Sequence, residues 1–282
     1  MAADVSPRVM IITQLHSQLL TEVPFLNAGR GSGDFRREFL PVHHGTVDNL
    51  PDDLDALLVT ADLQGRETFE SAGGGPPRLL GEVLPRVLVD SVLADLKIAA
   101  ARVGVLLAGD FYTVPALDRR GGTGDVTAVW QAFGAEFAWV AGVAGNHDLF
   151  GTAAERPRWR HPLHFLDGDV ADLSGLTVAG ISGIVGNPRK PWRRDEERLL
   201  QTLEDVVSLC PDILLMHDGP DAPDPAARGS TRIRQVLESA DPTLVVRGHV
   251  HWNQPLSQLS NGTQVLNVDS RAVILTADQP AT

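Results

Sequence analysis

The sequence has one cysteine, Cys210, so an intramolecular disulfide is excluded. Cys210 ends an apolar-periodic stretch and precedes Pro211. That is the place of a small apolar residue at a helix end rather than of a catalytic thiol. Long apolar runs are also missing. The most apolar part of the N-terminus is Val9–Ile12, too short for a signal sequence or a membrane span, and a cytoplasmic location is the default expectation. Positive charge is scarce: 24 Lys and Arg stand against 36 Asp and Glu, for a net charge of -12. Such a surface repels long polyanions and disfavours extended duplex binding. It leaves room for a small phosphorylated substrate, because a metal centre supplies positive charge locally. Gly121-Gly122-Thr123-Gly124 lacks the Lys-Thr of a phosphate-cradling loop, and no strand leads into it.

What is present is an ordinary globular composition: 282 residues, 43% hydrophobic and 21% charged. No linker divides the chain and no repeat is visible, so residues 1–282 are taken as one domain. Residues 8–15 read as a buried strand, 26–36 as a mobile Gly- and Arg-rich loop, and 73–77 as a flexible break. His43-His44-Gly45 has no strand leading in and reads as a loop pair rather than a ligand pair. Leu79 to Ala101 has helical spacing, with Pro85 marking a start or a kink. Helices are also expected over 126–137, 195–209 and 230–240. A strand at 176–183 is expected to pair with a hairpin partner around 163–170. The tail from Gln264 to Thr276 alternates like closing strands.

The informative feature is how the apolar runs end. Ala56–Ala61 leads to Asp62-Leu63-Gln64, Val103–Ala108 to Gly109-Asp110, and Ala138–Ala144 to Gly145-Asn146-His147-Asp148. Ile213–Met216 leads to His217, and Leu244–Arg247 to Gly248-His249-Val250-His251. Alternating strands and helices argue for a parallel sheet, whose ligands gather at the carboxyl ends of the strands. Any one of these histidines alone would read as a satisfied core or loop residue. Jointly they read as an oxygen and imidazole donor set without thiolate, suited to Mn, Zn, Fe or Mg. There are donors enough for two adjacent ions, which favour in-line displacement at phosphorus by activating a water and neutralising phosphoryl charge.

This series of motifs, spanning 62–251, resembles the calcineurin-like metallophosphoesterase superfamily. The resemblance implies an α/β fold, a four-layered αββα sandwich of two mixed sheets, with residues 1–50 as an extension before the first motif. It implies a dinuclear hydrolase with two divalent ions, Mn foremost and Fe, Zn, Ni, Co or Mg as alternatives. Asp110 resembles the carboxylate that bridges both ions. Asp62 and His251 would hold the first ion, and Asn146, His217 and His249 the second. His147 resembles the imidazole that stabilises the phosphorane or protonates the leaving oxygen, with Asp148 orienting it. The departure is Gln64, which stands where the family usually has a histidine and offers only a neutral amide to the first ion. Gln14-Leu15-His16 is an alternative first motif, but it lacks the carboxylate.

Loss of that imidazole points to diesters over monoesters, because a dianionic monoester gains more from two fully held ions. The expected substrate is a nucleotide, a cyclic nucleotide, a nucleic-acid end or another small phosphodiester. A phosphomonoesterase, or a metal-poor protein-binding scaffold of the same fold, is the alternative. Two basic segments stand out, 156–161 and 189–194, holding two of the five Trp. Arg158, Trp159, Arg160, Trp192 and Arg193 are their candidate substrate contacts, by pairing with phosphate and stacking on a base. Two ordinary solvated loops would give the same composition.

Overall fold

The computed structural model describes residues 9–29, 34–68 and 77–278. The break expected at 73–77 falls, but for Pro77, outside them. The strands that form the two large sheets are β1 (Ile12–Ala28), β2 (Phe35–Val47), β3 (Ala56–Ala61), β4 (Val103–Leu107), β5 (Trp139–Gly142), β6 (Leu163–Phe165), β7 (Asp169–Leu173), β8 (Leu176–Ile181), β9 (Ile213–Met216), β10 (Leu244–Arg247), β11 (Leu256–Gln258), β12 (Gln264–Asn267) and β13 (Arg271–Ala277). The first sheet has the order β1-β2-β13-β3-β4-β5-β6, and the second β11-β12-β10-β9-β8-β7. Strands β3 to β6 run parallel, as do β8, β9, β10 and β12.

Three apolar layers explain the stacking. Every residue of β3 and of β4 is buried, as a strand covered on both faces requires. Alternate side chains then serve different layers. Leu58, Val105 and Leu107 face helices α1 (Leu80–Leu88) and α2 (Thr127–Glu136). Leu57, Val59 and Leu106 face Val178, Ile213, Leu215 and Val246 of the second sheet. Ala179, Leu214 and Val245 face helices α3 (Glu196–Val207) and α4 (Thr231–Glu238). The result is the expected αββα sandwich. The helices follow their local signals. Leu80, Leu84 and Leu88 form one stripe of α1, Asp195 caps α3 through the Arg198 amide at 3.0 Å, and Ser230 caps α4 through the Ile233 amide at 3.3 Å. Truncating Leu84, fully buried, to Ala would cost about 2–5 kcal/mol.

Several local expectations change. The strand expected at 8–15 begins at Ile12 and is the outermost of its sheet, so Thr13, Gln14, Ser17 and Gln18 are exposed. The loop expected at 26–36 is shorter, because β1 continues to Ala28 and β2 starts at Phe35. His43 and His44 lie within β2, not in a loop; the His44 Nε2 is 3.0 Å from the Thr276 hydroxyl of β13, two strands that pair in parallel. The helix begins at Leu80, so Pro85 does not start it, and the helical run ends at Lys97, which takes a left-handed φ of 58°. The hairpin partner of β8 is β7, because Ser174 and Gly175 both take positive φ and close a two-residue turn. Leu163–Phe165 instead joins the first sheet beside β5.

Candidate metal centre

The parallel strands of both sheets end at one rim. Asp62 follows β3, Asp110 follows β4, and Asn146 and His147 follow β5. From the second sheet come His217 after β9, His249 after β10 and Asp269 after β12. Asp62, Asp110 and His249 have left-handed φ values of 53°, 60° and 70°, an uncommon conformation for residues with a side chain. The sharp turns stop the strands at the rim. Gly109, with φ 89°, makes one of them possible: a Cβ there would lie 2.4 Å from the Gly145 nitrogen and 2.8 Å from His217 Nδ1.

Among the described residues, one group brings three ligand atoms within 4.8 Å of one another: Asp110, His217 and His249. His217 is fully buried, and its Nδ1 is 2.8 Å from the Ala108 carbonyl, which fixes the ring. Its Nε2 lies 3.2 Å from Asp110 Oδ2, off the hydrogen-bonding direction, and has no other partner. Asn146 Oδ1 is likewise buried without a partner. Buried polar atoms are normally satisfied, so the orphaned His217 nitrogen beside the Asp110 carboxylate fits a divalent cation, and the orphaned Asn146 oxygen at the end of β5 is a further candidate donor.

The electrostatics agree. Burial opposes charge on His217, but the Asp110 carboxylate outweighs it and holds the imidazolium up to about 10. Burial would raise Asp110, yet His217 and then His147 hold it below the usual carboxylate range. His249 is pushed down to about 4 by burial and by His217, so its ring is neutral at pH 7. Asp62 is driven well above its ordinary value by burial, then by Asp269, with Asp110 adding to the effect. Three carboxylates therefore crowd one rim and share a demand for positive charge.

The other half of the expected site is looser. Gln64 points its Nε2 at Asp110 Oδ2, 3.4 Å away. Asp62 Oδ2 accepts the His249 amide at 2.9 Å. His251 stands apart from the three-ligand group: its Nδ1 lies 3.4 Å from Asp269 Oδ1, and its Nε2 3.1 Å from an Arg271 amino group. His147 donates its backbone amide to Asp110 Oδ1 at 2.8 Å and places Nε2 3.9 Å from Asp110 Oδ2.

Asp148 does not orient His147, whose buried Nδ1 has no partner. Both Asp148 oxygens are taken by backbone amides: Asp110 at 2.9 Å, Gly145 at 2.8 Å and Phe111 at 2.8 Å. Asp148 thus ties two motif turns together. Burial and the nearby Asp110 carboxylate raise it to about 6.

The proposed substrate contacts are not brought to this rim together. The Trp159 ring packs 4.9 Å from Trp130 and 5.1 Å from Phe150. Trp192 packs against Phe150 and Phe165 and donates Nε1 to the Asp148 carbonyl at 2.8 Å. Both indoles belong to one aromatic cluster and are not free platforms for a base, because the apolar ring gains more from mutual burial than from standing in water. Arg158 and Arg160 line a cleft at the sheet edge with His161 and His164, while Arg193 lines another with Arg189 and Lys190. A cleft of about 590 Å³ reaches His249 and His251 and is also lined by Asp218, Glu196, Ser230 and Arg228.

Asp269 and Arg228 were missed by sequence reasoning. Asp269 follows Val265-Leu266-Asn267-Val268, a stretch that Asn267 interrupts, and it sat inside a segment read as closing strands. Arg228 carried no signal. Its place is set by Arg247 and Trp252, which donate to the Arg228 carbonyl at 2.9 and 2.8 Å.

An αββα sandwich with a buried oxygen and imidazole cluster at its carboxyl rim defines a class of protein, an α/β fold with a candidate metal centre at the ends of its parallel strands. The calcineurin-like phosphoesterase family model matches residues 55–253, and the chain belongs to that family. It is accordingly a metal-dependent phosphoesterase. The crystal structure of TT1561 of Thermus thermophilus superposes with a TM-score of 0.50 at 14% identity, over 77% of this chain and 90% of that one, which shows a shared fold. A protein of unknown function from Aquifex aeolicus, AQ665, aligns over 78% of this chain and 95% of its own at 12% identity, with a TM-score of 0.32. No curated protein matches the chain. Among the described residues no helix is long and apolar enough to cross a membrane.

Proposed function

We propose that the chain is a phosphodiesterase acting on a nucleotide, a cyclic nucleotide or a nucleic-acid end, with two divalent ions of which Mn is the foremost candidate. The observation that carries this reading is Gln64, whose amide donates toward Asp110 where the family usually offers a second imidazole. Asp110, Asn146, His217 and His249 would hold one ion firmly; Asp62, Asp110 and His251, with Asp269 nearby, would hold the other more loosely. Bound ions supply Lewis acidity, which lowers the pKa of water and offsets charge on the phosphoryl oxygens. A weak second position suits a monoanionic diester better than a dianionic monoester.

The chain's own residues then divide the work. His147 places Nε2 beside Asp110 and serves the leaving oxygen as its proton donor. Asp148 holds the Asp110 and Gly145 turns in register. Arg228 stands in the same cleft as His249 and His251, with Glu196 and Asp218 also lining it, and among the described residues it forms no ion pair. That position supports a role for Arg228 in meeting an anionic substrate.

The test is hydrolysis of bis-p-nitrophenyl phosphate against p-nitrophenyl phosphate, with Mn added and with chelator. Metal-dependent turnover that favours the diester is expected. Faster turnover of the monoester would sink the diesterase reading. Absence of both activities, together with absence of bound metal by elemental analysis, would point to a scaffold.

A further inference from the structure

The 187–198 segment builds a cleft of about 490 Å³ whose charge contradicts the rest of the molecule. Arg189, Lys190, Arg193, Arg194 and Arg198 line it, against one carboxylate, Asp167. That carboxylate is already used: Asp167 Oδ1 accepts Arg194 at 2.7 Å and the Ser182 amide at 3.0 Å. Among the described residues, Arg189, Lys190, Arg193 and Arg198 have no ion-pair partner. The neighbouring acids are spoken for as well. Asp195 caps Arg198 through its amide, and Glu196 and Glu197 both bind Arg232. A chain of net charge -12 thus gathers, among the described residues, four cations without an ion-pair partner around one small concavity.

The walls are fixed. Asn187 accepts the Arg189 amide through its side chain at 3.0 Å and the Lys190 amide through its carbonyl at 3.0 Å. Ile184–Val185 pairs with Arg193–Arg194 as a short parallel ribbon. Between them Trp192 takes a left-handed φ of 47°. Its carbonyl crowds Gly183 so closely that a Cβ there would lie 2.1 Å away. The ribbon and the Gly183 contact hold this uncommon backbone conformation in place. The other basic cleft lacks this imbalance, since Arg156 is paired with Asp169 and Glu155 also lines it.

We propose that this cleft binds an oligophosphate, an anion with at least two linked phosphoryl groups. Four like charges in a small space repel one another until an anion of comparable charge enters, which one carboxylate would not offset. Guanidinium groups present paired donors that match phosphate oxygens. The volume admits a di- or triphosphate and excludes a duplex. The oligophosphate is either the distal part of the substrate or a separate effector. The floor of the cleft also leads to the metal centre, because Trp192 binds the Asp148 carbonyl and Asp148 binds the Asp110 amide.

The experiment titrates inorganic triphosphate into metal-free protein in chelator, by calorimetry at low and moderate salt. It does not depend on hydrolysis, so it stands or falls separately from the diesterase reading. Saturable one-to-one binding is expected. The exposed pair Arg189→Ala with Lys190→Ala should weaken it at least tenfold, whereas Arg158→Ala with Arg160→Ala leaves it unchanged. No saturable binding, or equal weakening in both double variants, would overturn the proposal. Turnover of bis-p-nitrophenyl phosphate at fixed free Mn then separates the sources. A response to added triphosphate that the Arg189/Lys190 variant abolishes identifies an effector. A raised KM for a nucleoside oligophosphate ester alone, with the small diester unaffected, identifies the distal phosphates. Binding that alters neither would overturn the link from Trp192 to the metal centre.

Discussion

The two halves of the candidate metal centre differ in burial more than in donor count. On one side, His217 is 0% exposed and Asp110 3%, and the buried Asn146 oxygen lacks a partner. On the other, the His251 ring is 53% exposed, and its nitrogens face Asp269 and Arg271. Donors sealed from water with no partner are costly until a cation arrives, so binding recovers that cost. Donors that keep water or other partners must give them up first. Affinity should therefore follow burial across the centre, with one tight position and one weak one.

The largest test removes a ligand from each side. His217→Ala should lower turnover of a phosphodiester on the order of 10³-fold, and His251→Ala only about tenfold. Steady-state rates paired with metal content check this, and equal losses would erase the asymmetry.

The pH dependence sharpens it. In the metal-free protein His217 is protonated up to about 10, while His249 loses its proton near 4. A cation at this position must displace the His217 proton, so affinity should rise about tenfold per pH unit up to about pH 10. Calorimetry in buffers of different ionisation enthalpy should register one proton released per tight ion; none released would remove His217 from the ligand set. The same shift has a stability consequence. The folded value lies above the unfolded one of about 6.5, so the His217 contribution to metal-free stability is full below about pH 6.5 and is lost as pH rises through about 10.

Gln64→His repairs the weak half. It should tighten the second equivalent of metal by about tenfold to a hundredfold and leave the first unaltered. An unchanged second equivalent would mean that Gln64 does not limit that position. The smallest effect is expected at Trp192→Phe. It keeps the ring in its cluster and removes one hydrogen bond to Asp148, for about 1 kcal/mol read by chemical denaturation. No measurable change would show that the bond leaves the motif turns equally stable.

Much of this centre was legible because a buried parallel strand leaves a plain trace, a mostly apolar run that ends in a polar residue. Asp62, Asp110, Asn146, His217 and His249 all announce themselves so. Asp269 lacked the trace, because Asn267 interrupts the apolar residues before it. Trp159 and Trp192 misled, since an indole beside arginines looks the same in sequence whether it faces a ligand or packs on Phe150 and Phe165. The N-terminal hairpin was half legible: its apolar start was visible, but not its place at the edge of the sheet.

The sequence alone determined the buried strands and the donor chemistry, because side-chain period and residue type are local properties, whereas the two-sheet, four-layered arrangement came from the family resemblance and not from the period. Tertiary structure decided what those donors do. It turned Asp148 from a partner of His147 into a clamp on backbone amides. It buried His217 against Asp110 while leaving His251 open, and it gathered Arg189, Lys190, Arg193 and Arg198 around one cleft. Proximity, burial and the directions of hydrogen bonds depend on which chain segments meet, and residue type does not encode that at any single position.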